Sequence, residues 1–197
     1  NKEVMMVGRD AIFGRLNDAG YNRDSPYIST GLRETQFYLH YKHIGVGYSN
    51  ANMWWGPGLH STLTMTNNTA GFPHLMIGTL KEKRIRSVGF NFRYVFSTLD
   101  KTIGDPYFTG LVGTIRFYTD PLITIGISRN YLSGGLPTDR PFTKMDAALI
   151  VFEQLLIDTK IKEYPPEWDP HDPWDELMSG FLMLDFPISK LRLYAEF

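Results

Sequence analysis

Residues 87–97 read SVGFNFRYVFS, and this stretch decides the fold class. Apolar residues fall on one side of the alternation (Val88, Phe90, Phe92, Tyr94, Phe96). Small or polar residues fall on the other side, with Val95 as the one apolar exception. Because successive side chains of a β-strand point to opposite faces, the pattern predicts a strand with one apolar and one polar face.

The same alternation recurs along the chain. It is clear in 122–131, where Arg129 is the exception, and in 191–197, and it is looser in 107–119. Five further strands are predicted, at 33–41, 44–49, 61–67, 73–81 and 177–186. The sequence thus predicts about nine strands in all. Several of them are about 10 residues long, which is the length that a tilted strand needs to cross a bilayer. The fold class is therefore all-β.

The connections between these strands are unequal in length. Tight turns are predicted at 119–121 and 187–190, and a long loop spans 132–176. In an up-and-down meander these tight and long connections alternate between the two rims, as in outer-membrane β-barrels. Within the long loop, apolar residues from Met145 to Leu156 have helical spacing and predict a short amphipathic helix. We expect this helix to pack on the loop or to plug the mouth of the barrel, and a membrane-surface helix is the less favoured alternative.

Composition excludes several classes of function. The chain has 197 residues, 20 Lys and Arg against 21 Asp and Glu, and no Cys. It therefore has no broad positive field for nucleic acid and no disulfide or thiolate chemistry. No stretch is long and apolar enough for a transmembrane helix. Residues 1–32 are rich in turn formers and predict an irregular segment before a single domain at 33–197.

Alternation alone does not separate a soluble β-sandwich or lipocalin-like barrel from a membrane barrel. In the first the apolar side chains point inward, and in the second they face lipid. The long strands and the large Phe, Ile and Tyr side chains opposite small polar ones favour the membrane barrel. The mean hydropathy of −0.22 is compatible with this choice, because half of each barrel strand is polar.

A distinctive motif lies at residues 50–73, which read NANMWWGPGLHSTLTMTNNTAGFP. The paired Trp54 and Trp55, the Gly56-Pro57-Gly58 that follows, the later Asn-Asn and the Phe-Pro resemble the capsule assembly proteins of Gram-negative bacteria, the Wzi family. A weaker resemblance lies at the end of the chain, in LMSGFLMLDFP at 177–187 and LYAE at 193–196.

The resemblance implies an outer-membrane barrel of about eighteen strands that binds capsular polysaccharide and tethers it to the cell surface. The chain departs from this pattern because its sequence predicts only about nine strands. This number is odd and is half of the number that the resemblance implies. An open sheet in lipid would expose unpaired backbone groups. We therefore expect further strands, from the same protein or from another chain, to complete the wall.

The candidate polysaccharide-binding residues are aromatic or amide side chains: Trp54, Trp55, Asn67, Asn68, Trp168 and Trp174. Aromatic rings stack on the apolar faces of sugars. The favoured alternative for the Trp pair is structural, with Gly56, Pro57 and Gly58 setting a sharp bend that the rings wedge against the wall. Asn67 and Asn68 can hydrogen-bond a sugar, but an Asn-Asn pair more often caps a strand or makes a turn. Pro73 belongs to the structural motif.

Charged residues form three groups. The acidic residues of 167–176 surround Trp168 and Trp174, and a solvated loop is favoured over Ca²⁺ binding or a glycosidase pair. Four cations between Lys81 and Arg86 fit lipopolysaccharide phosphates or an acidic polysaccharide, although a plain charged connection is preferred. The charges predicted to line the lumen are Arg93, Arg116, Asp185, Arg192 and Glu196.

No His-Glu-x-x-His, Gly-x-Ser-x-Gly or P-loop motif occurs, so the sequence favours a protein without enzymatic activity, metal or cofactor. The first hypothesis is an outer-membrane barrel of the capsule assembly type. Its partners would be outer-membrane lipid, lipopolysaccharide, capsular or exopolysaccharide and other outer-membrane proteins. The second hypothesis is a structural barrel subunit without sugar binding, and the third is a soluble glycan-active β-barrel.

Overall fold

The computed structural model describes residues 34–66, 71–99, 106–134, 143–152 and 174–197. The predicted irregular segment at 1–32 lies outside these ranges. The strands are β1 (Gln36–Tyr41), β2 (Ile44–Ser49), β3 (His74–Thr79), β4 (Lys83–Ile85), β5 (Val88–Thr98), β6 (Tyr107–Phe117), β7 (Leu122–Ser133), β8 (Trp174–Phe186) and β9 (Leu191–Glu196).

The nine strands form one antiparallel sheet in the order β1-β2-β3-β5-β6-β7-β8-β9, with β4 paired to the first part of β5. Strands β5 to β8 are 11 to 13 residues long. Within the described ranges β1 and β9 each pair on one side only, so this sheet is open. The all-β prediction is confirmed, and eight of the nine predicted strands correspond to observed ones.

One side of the sheet, which we call the apolar face, carries large hydrophobic side chains in register across the strands. Its exposed members are Phe37, Leu39, Tyr41, Ile44, Val46, Tyr48, Leu75, Ile77, Phe90, Ile115, Ile125, Ile127, Leu182, Leu191 and Leu193. The register shows that they share a face, since Leu39 pairs with Val46, Val46 with Ile77, and Ile115 with Ile125.

The opposite face carries many small and polar side chains that are buried, together with a few large apolar ones such as Met76 and Phe181. Ser49, Ser97, Ser128 and Ser179 are each no more than 3% exposed. They are covered in part by the connection between β2 and β3, which lies on this face. This arrangement explains why Val95 breaks the alternation: it is fully buried on the opposite face, in a cluster with residues of that connection.

The connections differ between the two ends of the sheet. Short connections at 42–43, 80–87, 118–121 and 187–190 lie at one end, which we call the short-connection end. The longer connections at 50–73, 99–106 and 134–173 leave from the other end. The predicted tight turns at 119–121 and 187–190 therefore lie at the same end, as the meander requires.

The predicted helix exists, but it packs on the apolar face of the sheet and not on the long loop or in the mouth of a barrel. Helix α1 (Lys144–Leu149) begins at a capping box in which Thr143 accepts from the Asp146 amide and Asp146 accepts from the Thr143 amide. It continues as a 3₁₀ turn (Ile150–Phe152). Ile150 and Val151 pack on Tyr131 of the apolar face, so the helix does not plug the opposite face.

The predicted strand at 61–67 is wrong over its described part, since only Met65 makes an isolated bridge, to Trp55. The chain instead turns tightly, and the Thr62 hydroxyl donates to the Met65 carbonyl at 2.5 Å. Conversely, 83–85 was expected to be only a connection but pairs with β5 as β4. Among the described residues no helix is long and apolar enough to cross a membrane.

Candidate functional site

Residues 51–66, which we call the Trp segment, contain most of the described part of the sequence motif. Met53 and Trp55 pack with Met76 of β3 and Val95 of β5, and Trp55 is only 3% exposed. Trp55 also bridges to Met65 through its backbone. The segment thus folds back on itself and uses one Trp as the anchor that holds it on the opposite face.

Gly110 of β6 provides the space for the Trp55 ring. A Cβ added at Gly110 would lie 2.6 Å from Trp55 Cη2 and 2.7 Å from Asn130 Oδ1. Both groups are buried, so neither has room to withdraw. The absence of a side chain at this position is therefore a condition for the docking of the Trp segment.

Gly110→Ala is expected to lower the free energy of unfolding by about 1–3 kcal/mol, because overpacking at a filled site displaces its neighbours. Gly113→Ala in the same strand is the matched control, since its Cβ would meet only one backbone atom, at 3.9 Å. Urea titration of both variants followed by Trp fluorescence measures the difference. Equal costs for the two variants would contradict the packing role of Gly110.

A ring of hydrogen bonds fastens the other end of the Trp segment to three strands. Glu196 Oε1 accepts from the Leu63 amide at 3.1 Å and from the Ser179 hydroxyl at 3.3 Å. The Ser179 and Ser128 hydroxyls are 2.9 Å apart, and the Ser128 and Thr64 hydroxyls are also 2.9 Å apart. We call these five groups the hydroxyl ring; it connects the segment to β7, β8 and β9.

The two buried side chains that adjoin Gly110 each carry a polar group with no hydrogen-bond partner among the described residues. These groups are the Trp55 indole N–H and the side-chain amide of Asn130. Each of these groups costs free energy in the folded state unless water satisfies it.

The remaining motif residues shape the entry to the Trp segment. Trp54 is half-buried, and its indole N–H donates to the Gly58 carbonyl at 3.1 Å. Gly58 approaches Ser61 so closely that a Cβ would overlap its carbonyl, and Gly56 has a φ of 156°. Pro57 lies between them and is half-buried. Pro73 is further along, where its carbonyl accepts from Ser97 at 2.5 Å.

All five predicted lumen charges lie on the opposite face. Arg192 and Asp185 pair across β8 and β9. Arg116 is 3.6 Å from Glu82 and donates to Thr124 at 3.1 Å. Arg93 lies in register with Gly78 and Val112. Glu196 belongs to the hydroxyl ring, so its structural partners are hydroxyl and amide groups.

Trp174 lies apart from the Trp segment, on the apolar face beside the cluster of Tyr131, Ile150 and Val151. In the same region Arg129 Nε donates to Glu176 at 2.5 Å, and Arg129 Nη1 donates to the Val151 carbonyl at 3.3 Å. The sequence analysis did not identify this ion pair. Its signal was present, because Arg129 was the exception in an apolar alternation.

The structure does not bring the predicted sugar-binding residues together in one described site. Trp54 and Trp174 lie on different faces of the sheet, Trp55 is buried, and Asn67, Asn68 and Trp168 lie outside the described residues. The acidic loop also lies outside them, apart from 174–176. Within the described ranges no three His, Asp or Glu side chains are grouped to hold a metal ion.

Comparisons with protein-family models, with curated proteins and with solved structures found no match to this chain. The geometry of the chain itself and the sequence motif at 50–73 are therefore the basis for a function.

Proposed function

We propose that this chain forms part of the wall of a β-barrel in the bacterial outer membrane and that the complete barrel binds and retains surface polysaccharide. The observation that carries the membrane proposal is the inverted distribution of side chains. Ser, Thr and His are buried on the sheet, whereas Phe, Leu, Ile and Val on the apolar face are about half exposed.

A soluble sheet would be expected to cover its apolar face with another layer. In the described part of the chain, only helix α1 and its 3₁₀ turn lie on that face, over Tyr94, Leu111 and Tyr131. A contiguous exposed apolar surface of this kind is typical of a membrane or protein contact. Strands of 11 to 13 residues are long enough to cross the hydrocarbon layer.

The short and long connections support an orientation. In outer-membrane barrels the short turns face the periplasm and the long loops face outward. The short-connection end would then be periplasmic, and the loops at 99–106 and 134–173 would face the cell exterior. Among the described strands, β1 and β9 each pair on one side only, which favours additional strands at both edges, since lipid does not tolerate unpaired backbone groups.

The polysaccharide part of the proposal depends on the resemblance of residues 50–73 to the capsule assembly proteins. Trp54 is the favoured contact, because Trp55 is used as a packing anchor. The second candidate function is a structural subunit of a larger outer-membrane complex, and the two single-sided edge strands favour it. The proposed chain is non-enzymatic in both cases.

Vesicle flotation tests the membrane part of the proposal. The full chain, unfolded in urea and diluted into phosphatidylcholine vesicles, is expected to float with them and to gain β-structure by circular dichroism. A chain that remains monodisperse in plain buffer and does not float would contradict the membrane barrel and favour the soluble β-barrel hypothesis.

Binding to immobilised bacterial capsular polysaccharides tests the second part, with the chain in detergent micelles. Trp54→Ala is expected to weaken binding about tenfold, because it removes the binding free energy of one aromatic stacking contact. Tyr194→Ala is the control, because Tyr194 is an exposed aromatic residue of the opposite face outside the candidate set. A chain that enters vesicles but binds none of the polysaccharides would favour the structural subunit.

A further inference from the structure

The connections that leave the two ends of the sheet differ in amino-acid charge. The short connections at 42–43, 80–87, 118–121 and 187–190 contain six cations and two carboxylates. The longer connections at 50–73, 99–106 and 134–173 contain five cations and ten carboxylates. The net charge of −1 therefore conceals a difference along the sequence, in which the short connections are positive and the longer ones negative.

Most of this positive charge lies in the hairpin at 80–87, and its one carboxylate is turned inward. Glu82 accepts a hydrogen bond from Tyr118 and lies 3.6 Å from Arg116. Gly89 on the facing strand leaves the space that the Glu82 side chain fills. The carboxylate is thus already paired with the sheet, and it also fixes the hairpin in position.

One cation of the hairpin packs on the same tyrosine that Glu82 contacts, and the other three are exposed. Arg84 is stacked over the Tyr118 ring at 3.8 Å, and its Nε donates to the Arg86 carbonyl at 2.9 Å. Lys81, Lys83 and Arg86 are exposed. The hairpin therefore presents three cations to the surroundings on a backbone that Glu82 and Arg84 hold in place.

The hairpin also continues the apolar face. Lys83 pairs in register with Phe90, and Ile85 is 56% exposed and pairs with Val88. At the neighbouring short connection, Lys42 Nζ lies 5.2 Å from the ring centre of the exposed Tyr41. Long cationic side chains beside exposed apolar and aromatic ones are typical of a membrane–water interface, where the stems lie in the apolar layer and the charges reach headgroups.

We propose that the short-connection end, and the hairpin at 80–87 in particular, binds the anionic phospholipid headgroups of the leaflet next to that end. This inference rests on the proposed membrane function. A soluble polyanion would need the cations alone, whereas an anionic lipid surface explains the cations together with the exposed Ile85, Tyr41 and Phe90 beside them.

The test compares the partitioning of the full chain into two kinds of vesicle, phosphatidylcholine alone and phosphatidylcholine mixed with phosphatidylglycerol. The variant Lys81→Gln/Lys83→Gln/Arg86→Gln removes the three exposed cations and keeps Glu82 and Arg84. At low salt, we expect the preference for the phosphatidylglycerol vesicles to fall on the order of 100-fold, because each basic residue near an anionic surface contributes about fivefold. Partitioning into phosphatidylcholine alone should not change.

The matched control is Lys101→Gln/Arg140→Gln/Lys144→Gln, which removes three cations from the longer connections. We expect it to retain the wild-type preference. Equal loss in both variants, or no loss in either, would overturn the proposal. Binding of soluble alginate that the hairpin variant loses, without any lipid preference, would overturn it in favour of a polysaccharide. If neither the wild-type chain nor either variant enters either kind of vesicle, the proposed membrane function itself has failed.

Discussion

Trp55→Ala is expected to lower the free energy of unfolding by about 3–5 kcal/mol, the cost of removing a large buried aromatic side chain. The ring fills the space above Gly110 and packs on Met76 and Val95. Without it the Trp segment loses the anchor at one of its two attachments. The shift in the urea midpoint measures the loss, with the chain folded in vesicles or micelles.

Two matched variants separate packing from other roles of this residue. Trp54→Ala truncates the neighbouring ring, which is half-buried and contacts the backbone at Gly58, so its cost should be much smaller. Trp55→Phe keeps an aromatic ring and removes the indole N–H that lacks a partner. It should therefore cost less than half as much as Trp55→Ala. If Trp54→Ala were the more damaging variant, the assignment of Trp55 as the anchor would be wrong.

Ile127→Arg is expected to lower the free energy of unfolding in phosphatidylcholine vesicles by about 2–4 kcal/mol. Ile127 lies near the middle of β7 on the apolar face, is 50% exposed, and pairs with Gly113 and Gly180. A charge at this depth would enter hydrocarbon if the apolar face meets lipid. The same change on a water-exposed surface costs no more than about 0.5 kcal/mol.

Tyr194→Arg is the control for this prediction. Tyr194 is 45% exposed, nearly as much as Ile127, but lies on the opposite face between Arg192 and Glu196. It should change stability little. If Ile127→Arg and Tyr194→Arg have the same small effect, the apolar face does not meet lipid and the membrane proposal fails.

The sheet could be predicted from the sequence because alternation is a local property. The alternation within each long strand shows which residues share a face. The residues that break the alternation lie where other segments pack on the sheet. Val95 lies under the Trp segment, and Arg129 lies under the 3₁₀ turn. The partners could not be predicted, since nothing near Val95 or Arg129 in the chain indicates what covers them.

The error at 61–67 has a specific cause. Thr62, Leu63, Thr64 and Met65 alternate as a strand does, but no neighbouring strand pairs with them. Thr64 and Leu63 instead contact Ser128 and Glu196, which are distant in the chain. For the candidate site, the sequence identified the Trp pair but could not decide which ring is buried, because that choice depends on Gly110 of a distant strand.

The hydroxyl ring also constrains the order in which the molecule folds. Leu63 and Glu196, which it joins, are 133 positions apart in the chain. Loop-closure entropy makes contacts of such separation slow to form, and β9 must pair with β8 before Glu196 reaches its place. We therefore expect the attachment of the Trp segment at Leu63 to form late, after β9 has paired with β8. Because a chain is synthesised from its N-terminus, the Trp segment is made before Glu196, its hydrogen-bond partner in β9.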